Sequence, residues 1–349
     1  MEKIGIDVHK VATQVCVLTE DGEFKEFRIR TERDSLTETF GRRARARILL
    51  EAATESEWVA RHLEALGHEV IVADPNFAPM YATRSRKVKT DKRDARALCE
   101  ACHLGAYRAV HRVSDASRML RKRLAGREVL VKTRSRVISL CRALLRQEGI
   151  RVPSGGAVSF AKRVRMLDVG GELARTLEPL LQTHERVCEQ IRNFDVVIAE
   201  AVEHDERAKR LTTVPSIGPV TALSFVALVD NVERFSSSAK LSSYVGLVPR
   251  EYSSGEKQQR GHITKLGDSR MRFLLVECAW GVLRRPDPST QALRDWALSI
   301  AARRGKRIAA VALARKLATI LFAMTHHGRD FEPERLSRGS GSSVATAAA

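Results

Sequence analysis

Residues 3 to 30 carry the pattern that most restricts what this chain can fold into. Ile4, Ile6 and Val8 alternate with Gly5 and Asp7, Thr13 to Leu18 form a second apolar run, and Phe24 to Ile29 a third. Asp21-Gly22 between the last two is a hairpin signal, so the three runs read as an antiparallel meander. A helical stretch from about Asp34 to Arg42 leads to Ile48-Leu49-Leu50, a short apolar strand closing on Glu51. Trp58, Val59, Leu63 and Leu66 follow at helical spacing with Gly67 at the C-cap position, and Val70 to Val72 reads as one more strand.

A meander that continues into alternating helices and strands is the order a ribonuclease-H-like sheet requires, so the expected class is α/β followed by α. From about Val113 to Arg210 the pattern changes to long helices. Asp115 to Glu148 is one, broken by Gly149, Pro153 and Gly155-Gly156. In the next, Leu173, Leu180, Val187 and Phe194 recur every seven residues, interleaved with Leu177, His184, Ile191 and Ile198, which predicts a coiled-coil seam with His184 as a polar register device. A third region opens with LTTVPSIGPVTALSFVALV, a helix-hairpin-helix pattern whose turn can offer backbone N–H groups to a phosphate. Without the basic context of the chain, an ordinary helical hairpin would explain the same residues equally well. After Arg335 the sequence LSRGSGSSVATAAA is of low complexity and is expected to be disordered.

The formal net charge of +18 over 349 residues bears on partners rather than fold, and points to DNA, RNA or an anionic membrane. Membrane is the weaker option, because no stretch approaches the roughly 20 apolar residues of a bilayer span and MEKIGIDVHK lacks the apolar core of a signal peptide. The expectation is a cytoplasmic protein. Six scattered cysteines suit buried small hydrophobes in a reducing compartment. Cys99, Cys102 and His103 spell the c-type haem attachment pattern, or half a zinc site. There is no second cysteine pair, and the triplet falls in a helical pattern with Ala95, Leu98 and Leu104, so a plain helix is the better reading.

Four acids stand out: Asp7, Glu51, and Asp91 with Asp94 in KTDKRDA. Asp7 faces away from Ile4, Ile6 and Val8, and Gly5 beside it leaves room for a bulky ligand. Glu51 ends an apolar strand. Asp91 and Asp94 share one helical face, although Thr90 before them also makes a helix start, where acids offset the dipole. Singly each acid reads as structural. Together they can hold two divalent ions, Mg²⁺ or Mn²⁺, roughly 4 Å apart for phosphodiester chemistry. Around them Arg84, Arg86, Lys87, Lys89, Lys92, Arg93 and Arg96 suit phosphate contacts. A second basic cluster, Arg118, Arg121, Lys122, Arg123, Arg127, Lys132, Arg134 and Arg136, suits duplex backbone, and its lack of aromatics argues against a single-strand stacking platform.

IGIDVHK, LLEAATES, VADPNFAPMYATRSRKVKTDKRDA, VPSIGPVTA, FSSSAKLSSYVGLVPREYSSGEKQQRGHITKLGDSRMR and ARRGKRIAAVALARKLATILFAM follow in this order, and the chain to about residue 330 resembles the DEDD transposases of insertion-sequence family 110. The resemblance implies a RuvC-like catalytic domain over 1–112, a helical coiled-coil connector over 113–210, a mainly α transposase domain with the helix-hairpin-helix over 211–335, and a disordered tail from 336. It places the acidic tetrad on Asp7, Glu51, Asp91 and Asp94, and the catalytic serine on Ser254, with Ser253 as the fallback. His262, Lys265, Arg270 and Arg272 become phosphate contacts. It further implies double-stranded DNA at element ends and target, a structured guide RNA encoded by the element, and a homodimer or homotetramer. Ser216 departs from the family, which usually has glycine in the hairpin turn.

Three other functions compete. A junction resolvase of RuvC type would use the same acids with water as nucleophile, and leaves the block from 236 to 280 without a purpose. A sugar or acetate kinase also begins with a hydrophobic-Gly-Ile-Asp strand, but needs a glycine-rich phosphate turn that Val8-His9-Lys10 does not supply. A non-catalytic nucleic-acid scaffold needs none of the four acids.

Overall fold

The computed structural model describes residues 1–82, 90–251 and 260–334. The chain divides into two compact units, Met1–Val113 and the rest from Ser114 onward.

In the first unit β1 (Lys3–Val8), β2 (Ala12–Leu18) and β3 (Phe24–Arg30) form the antiparallel meander. Next come α1 (Arg33–Phe40), β4 (Arg47–Glu51), α2 (Ser56–Ala65), β5 (Glu69–Ala73) and α3 (Asp91–Leu104). The sheet order is β3-β2-β1-β4-β5, with β1, β4 and β5 mutually parallel. One sheet face carries Ile4, Ile6, Val8, Val15, Val17, Ile48 and Leu50, which pack on Leu36 and Phe40 of α1 and on Val59 and Leu63 of α2. The opposite face is covered by α3.

That second contact depends on Gly5. A Cβ built there would lie 2.1 Å from the Cys99 amide nitrogen and 2.3 Å from the Ala95 carbonyl oxygen. The space beside Asp7 is therefore taken by helix backbone, not by a ligand as the sequence suggested. Small residues on both partners let α3 sit directly on β1, with Ala95 and Cys99 fully buried. Thr90 caps α3 by accepting from the Arg93 amide, and Gly105 ends it in the left-handed region at φ 68°. Cys99 and Cys102 are buried helix residues whose Sγ atoms face the backbone carbonyls of Lys3 and Arg47, while His103 points to solvent. Burial pushes the Cys102 thiol up to about 11. The plain-helix reading of the C-x-x-C-H triplet fits this placement.

The second unit is helical, with α4 (Asp115–Gln147), α5 (Phe160–Arg165), α6 (Gly171–Glu203), α7 (Glu206–Leu211), α8 (Pro219–Val229) and α9 (Ser238–Val245). A two-stranded ribbon of β6 (Pro249–Glu251) and β7 (Arg260–Ile263) precedes α10 (Ser269–Arg284), α11 (Gln291–Arg304) and α12 (Lys306–His327). α4 and α6 run antiparallel along each other. The Arg127 Nε donates to Asp195 Oδ1 at 2.5 Å, and at the other end Cys141 and Leu145 share a cluster with Leu177 and Leu181. On α6, Leu177, His184, Ile191 and Ile198 are all buried. The His184 ring bonds to the Ala157 carbonyl at 2.9 Å, so it ties the segment before α5 to α6.

α7 and α8 form the expected helical hairpin, and Ser216 in its turn has φ 73°, the left-handed region that glycine adopts freely. Ser216→Gly is expected to raise stability by about 1 kcal/mol, read as a higher urea midpoint. α12 is long and apolar enough to cross a bilayer, contrary to the expectation that no such stretch exists. Its Leu313, Ala314, Leu317, Ala318 and Leu321 are fully buried, and the helix packs on α7, α9, α10 and α11, the pattern of a core helix.

Candidate active site

The acids meet at the C-terminal edge of the parallel strands, where open α/β sheets form their binding crevices. Ile6 pairs with Leu50, and one further step along β1 and β4 sets Asp7 beside Glu51. Both then point to the α3 side, since Gly5 and Leu49 do. Because α3 starts above this edge, its first turn brings Asp91 and the buried Asp94 to the same place. Asp7 is central and its side chain is 11% exposed, whereas that of Asp91 is 55% exposed. The Tyr81 hydroxyl, from the turn after β5, donates to Glu51 Oε2 and fixes that carboxylate.

Burial raises the Asp7 carboxyl above its ordinary value, His9 pulls it down, and the charges of Asp94, Asp91 and Glu51 push it up again. Three like charges acting on a fourth, buried carboxyl create a site that favours a cation. The donors are carboxylate oxygens, which suit a hard divalent ion. The helix start that Thr90 caps is also the one that carries Asp91 and Asp94 toward Asp7.

His9 was not singled out in the sequence, although its i,i+2 spacing from Asp7 was a usable signal. Its Nε2 lies 3.2 Å from Asp7 Oδ2 and 3.4 Å from Asp91 Oδ1. Tyr81 gave no local signal, being thirty positions from its partner.

Among the nearby cations, Lys92 pairs with Glu26 at 2.8 Å, and Arg96 lies 4.3 Å over the Phe24 ring and pairs with Glu100. Arg93 is exposed. Arg84, Arg86, Lys87 and Lys89 lie outside the described residues. On α4, Lys122 and Arg123 are exposed, but Arg121 donates to the Ala227 and Leu228 carbonyls and so caps the end of α8.

Ser253 and Ser254 fall between β6 and β7 in the chain, outside the described residues. The base of this ribbon is closely locked. A Cβ on Gly246 would lie 2.0 Å from the Leu266 carbonyl oxygen, and one on Gly267 1.8 Å from that of Tyr244. Arg272 Nη1 donates to the carbonyls of Val245, Leu266 and Gly267, so this arginine holds the loop together. Arg270 pairs with Glu128 at 3.4 Å, and Lys265, at φ 57°, is exposed. Gly267→Ala is expected to destabilise the second unit by about 3 kcal/mol, visible as a lower denaturant midpoint.

Comparison with known proteins bears on the whole chain. A family profile of DEDD transposases of the IS110 type matches residues 4–149, and that of the transposase IS116/IS110/IS902 family matches 208–294. The transposase of insertion sequence IS1328 from Yersinia enterocolitica is 30% identical over 332 residues, covering 94% of this chain and 98% of the relative. The chain belongs to the IS116/IS110/IS902 family of transposases. A probable family 20 transposase of Pseudomonas aeruginosa is 30% identical over 95% of this chain and 99% of its own length. The transposase of IS1111A from Coxiella burnetii is 28% identical, over 92% and 88% respectively. This transposase is therefore an enzyme of DNA strand cleavage and transfer, and the DEDD chemistry of its family uses a divalent metal.

Proposed function

We propose that this transposase cuts and rejoins DNA at Asp7, Glu51, Asp91 and Asp94 with Ser254 as nucleophile, under the direction of an RNA encoded by its element. The observation that carries the reading is the meeting of the acids at one sheet edge, with Asp7 raised by burial and by the other three charges. Magnesium, as two ions, is the proposed metal, with manganese as a substitute. A divalent ion at these carboxylates supplies charge neutralisation to the scissile phosphate. The protein supplies rigidity: Asp7 and Glu51 stand on adjacent strands, and Tyr81 orients Glu51, so little ordering remains when substrate arrives.

A serine oxygen that displaces a deoxyribose oxygen at phosphorus leaves a phosphoserine ester, which keeps the phosphodiester energy for rejoining without ATP. The two halves of the site come from different subunits of a dimer or tetramer, which makes assembly a condition for cutting. Sequence choice is delegated to RNA pairing, which suits a chain of net charge +18 that reads phosphates more than bases. The RuvC-like, connector and transposase roles of 1–112, 113–210 and 211–335, the hairpin and coiled-coil functions of the helical part, and a cytoplasmic location belong to the same proposal.

The test is a covalent protein–DNA adduct trapped with the element's own RNA. The adduct is expected with wild type and absent with Ser254→Ala. Loss only in Ser253→Ala moves the nucleophile by one, and product release with no adduct in any variant assigns the attack to water. For phosphate contacts, Lys122→Ala and Arg123→Ala are each expected to lower the salt slope of DNA binding by about 1. Arg121→Ala is expected to cost stability instead, because its guanidinium caps α8.

A further inference from the structure

His9 stands between two of the acids. Its Nε2 is 3.2 Å from Asp7 Oδ2 and 3.4 Å from Asp91 Oδ1, nearly equidistant. A ring nitrogen carries one hydrogen, which the two carboxylates would have to share, or one lone pair, which can face a cation held between them. The ring is 55% exposed and has open solvent to turn into, whereas the Asp7 side chain is 11% exposed. The residue itself is fixed: the His9 amide donates to the Ala12 carbonyl at 3.2 Å, and Thr31 Oγ1 donates to the His9 carbonyl at 2.7 Å.

The spacing matches the shell of a metal ion. Adjacent donors around an octahedral ion with bonds near 2.1 Å stand about 3 Å apart, and opposite donors about 4.2 Å. One donor atom each from Asp7, His9 and Asp91 all lie within 4.8 Å of one another. The distances from the His9 nitrogen to Asp7 and to Asp91 are thus those of two near edges of such a shell.

We propose that His9 is a nitrogen ligand to the ion held by Asp7 and Asp91, and that it lets manganese-class ions substitute for magnesium more readily than at an all-carboxylate site. The proposal rests on the reading of Asp7 and Asp91 as metal ligands. Magnesium prefers oxygen donors and retains its waters, whereas an imidazole raises relative affinity along the transition series.

The test uses the full-length protein with Mn²⁺ alone and reads pulsed electron paramagnetic resonance, in which a directly bound ¹⁴N modulates the echo, together with Mg²⁺ competition. Wild type is expected to show nitrogen modulation that is absent in His9→Ala, with Mn²⁺ affinity about ten-fold weaker and Mg²⁺ affinity changed less. His9→Asp is expected to restore ion binding without the nitrogen signal, which separates loss of a ligand from loss of the fold. Bound Mn²⁺ without nitrogen modulation in wild type overturns the His9 assignment and leaves the carboxylate site standing, as does modulation that persists in His9→Ala. Absence of any Mn²⁺ site weakened by Asp7→Asn overturns both.

Discussion

An Asp7→Ala protein is expected to bind DNA while cutting it at least about 10³-fold more slowly than wild type. The size follows from position. Asp7 is on the central strand, nearly closed to solvent, and the three other acids act on it, so no neighbouring carboxylate can move into its place. Strand cleavage on element-end DNA measures the first quantity and fluorescence anisotropy the second. Cleavage at the wild-type rate would refute the site. The same residue makes a stability prediction of opposite sign. Because the folded-state value of Asp7 is raised above the ordinary 3.8, the folded protein takes up a proton in the interval between the two. Metal-free stability therefore falls as pH rises through that interval and stays lower above it. Asp7→Asn removes the charge and is expected to raise the metal-free Tm at neutral pH while abolishing cleavage. Divalent metal should stabilise wild type there and have less effect on the variant.

Gly5→Ala is the second large effect. A single added methyl meets backbone on the other side, 2.1 Å from Cys99 N and 2.7 Å from the Leu98 carbonyl carbon, and backbone cannot swing away as a side chain can. Either β1 or α3 must shift. Destabilisation of about 3 kcal/mol or more is expected by urea unfolding, at the upper end for overpacking. Activity should fall further than stability explains, because lifting α3 withdraws Asp91 and Asp94 from Asp7. A variant with wild-type melting and cleavage would show that the close approach is not required.

Much of the first unit was legible because its signals are local. Alternation in β1 to β3 and the Asp21-Gly22 turn need only neighbouring residues, and Gly22 indeed takes φ 84°. The acids were legible as candidates for the same reason: each marks the end of an element. What sequence could not give was which face of one element meets another. Gly5 looked like room for a ligand because nothing local says that α3, some ninety residues on, lands there. Arg121 and Arg272 looked like phosphate contacts because a basic run does not reveal carbonyls from a distant helix end or loop. β6 and β7 were missed, since strands of three and four residues are too short to show a period. The apolar run of α12 was passed over as a span, and only its burial distinguishes a core helix from one.

The lock at Tyr244 to Gly246 and Leu266 to Gly267 joins main chain to main chain and is closed by one guanidinium, so it makes no demand on side chains beyond the ribbon. Arg250→Ala on the first short strand should therefore melt like its parent, because that exposed side chain takes no part in the main-chain join beneath it.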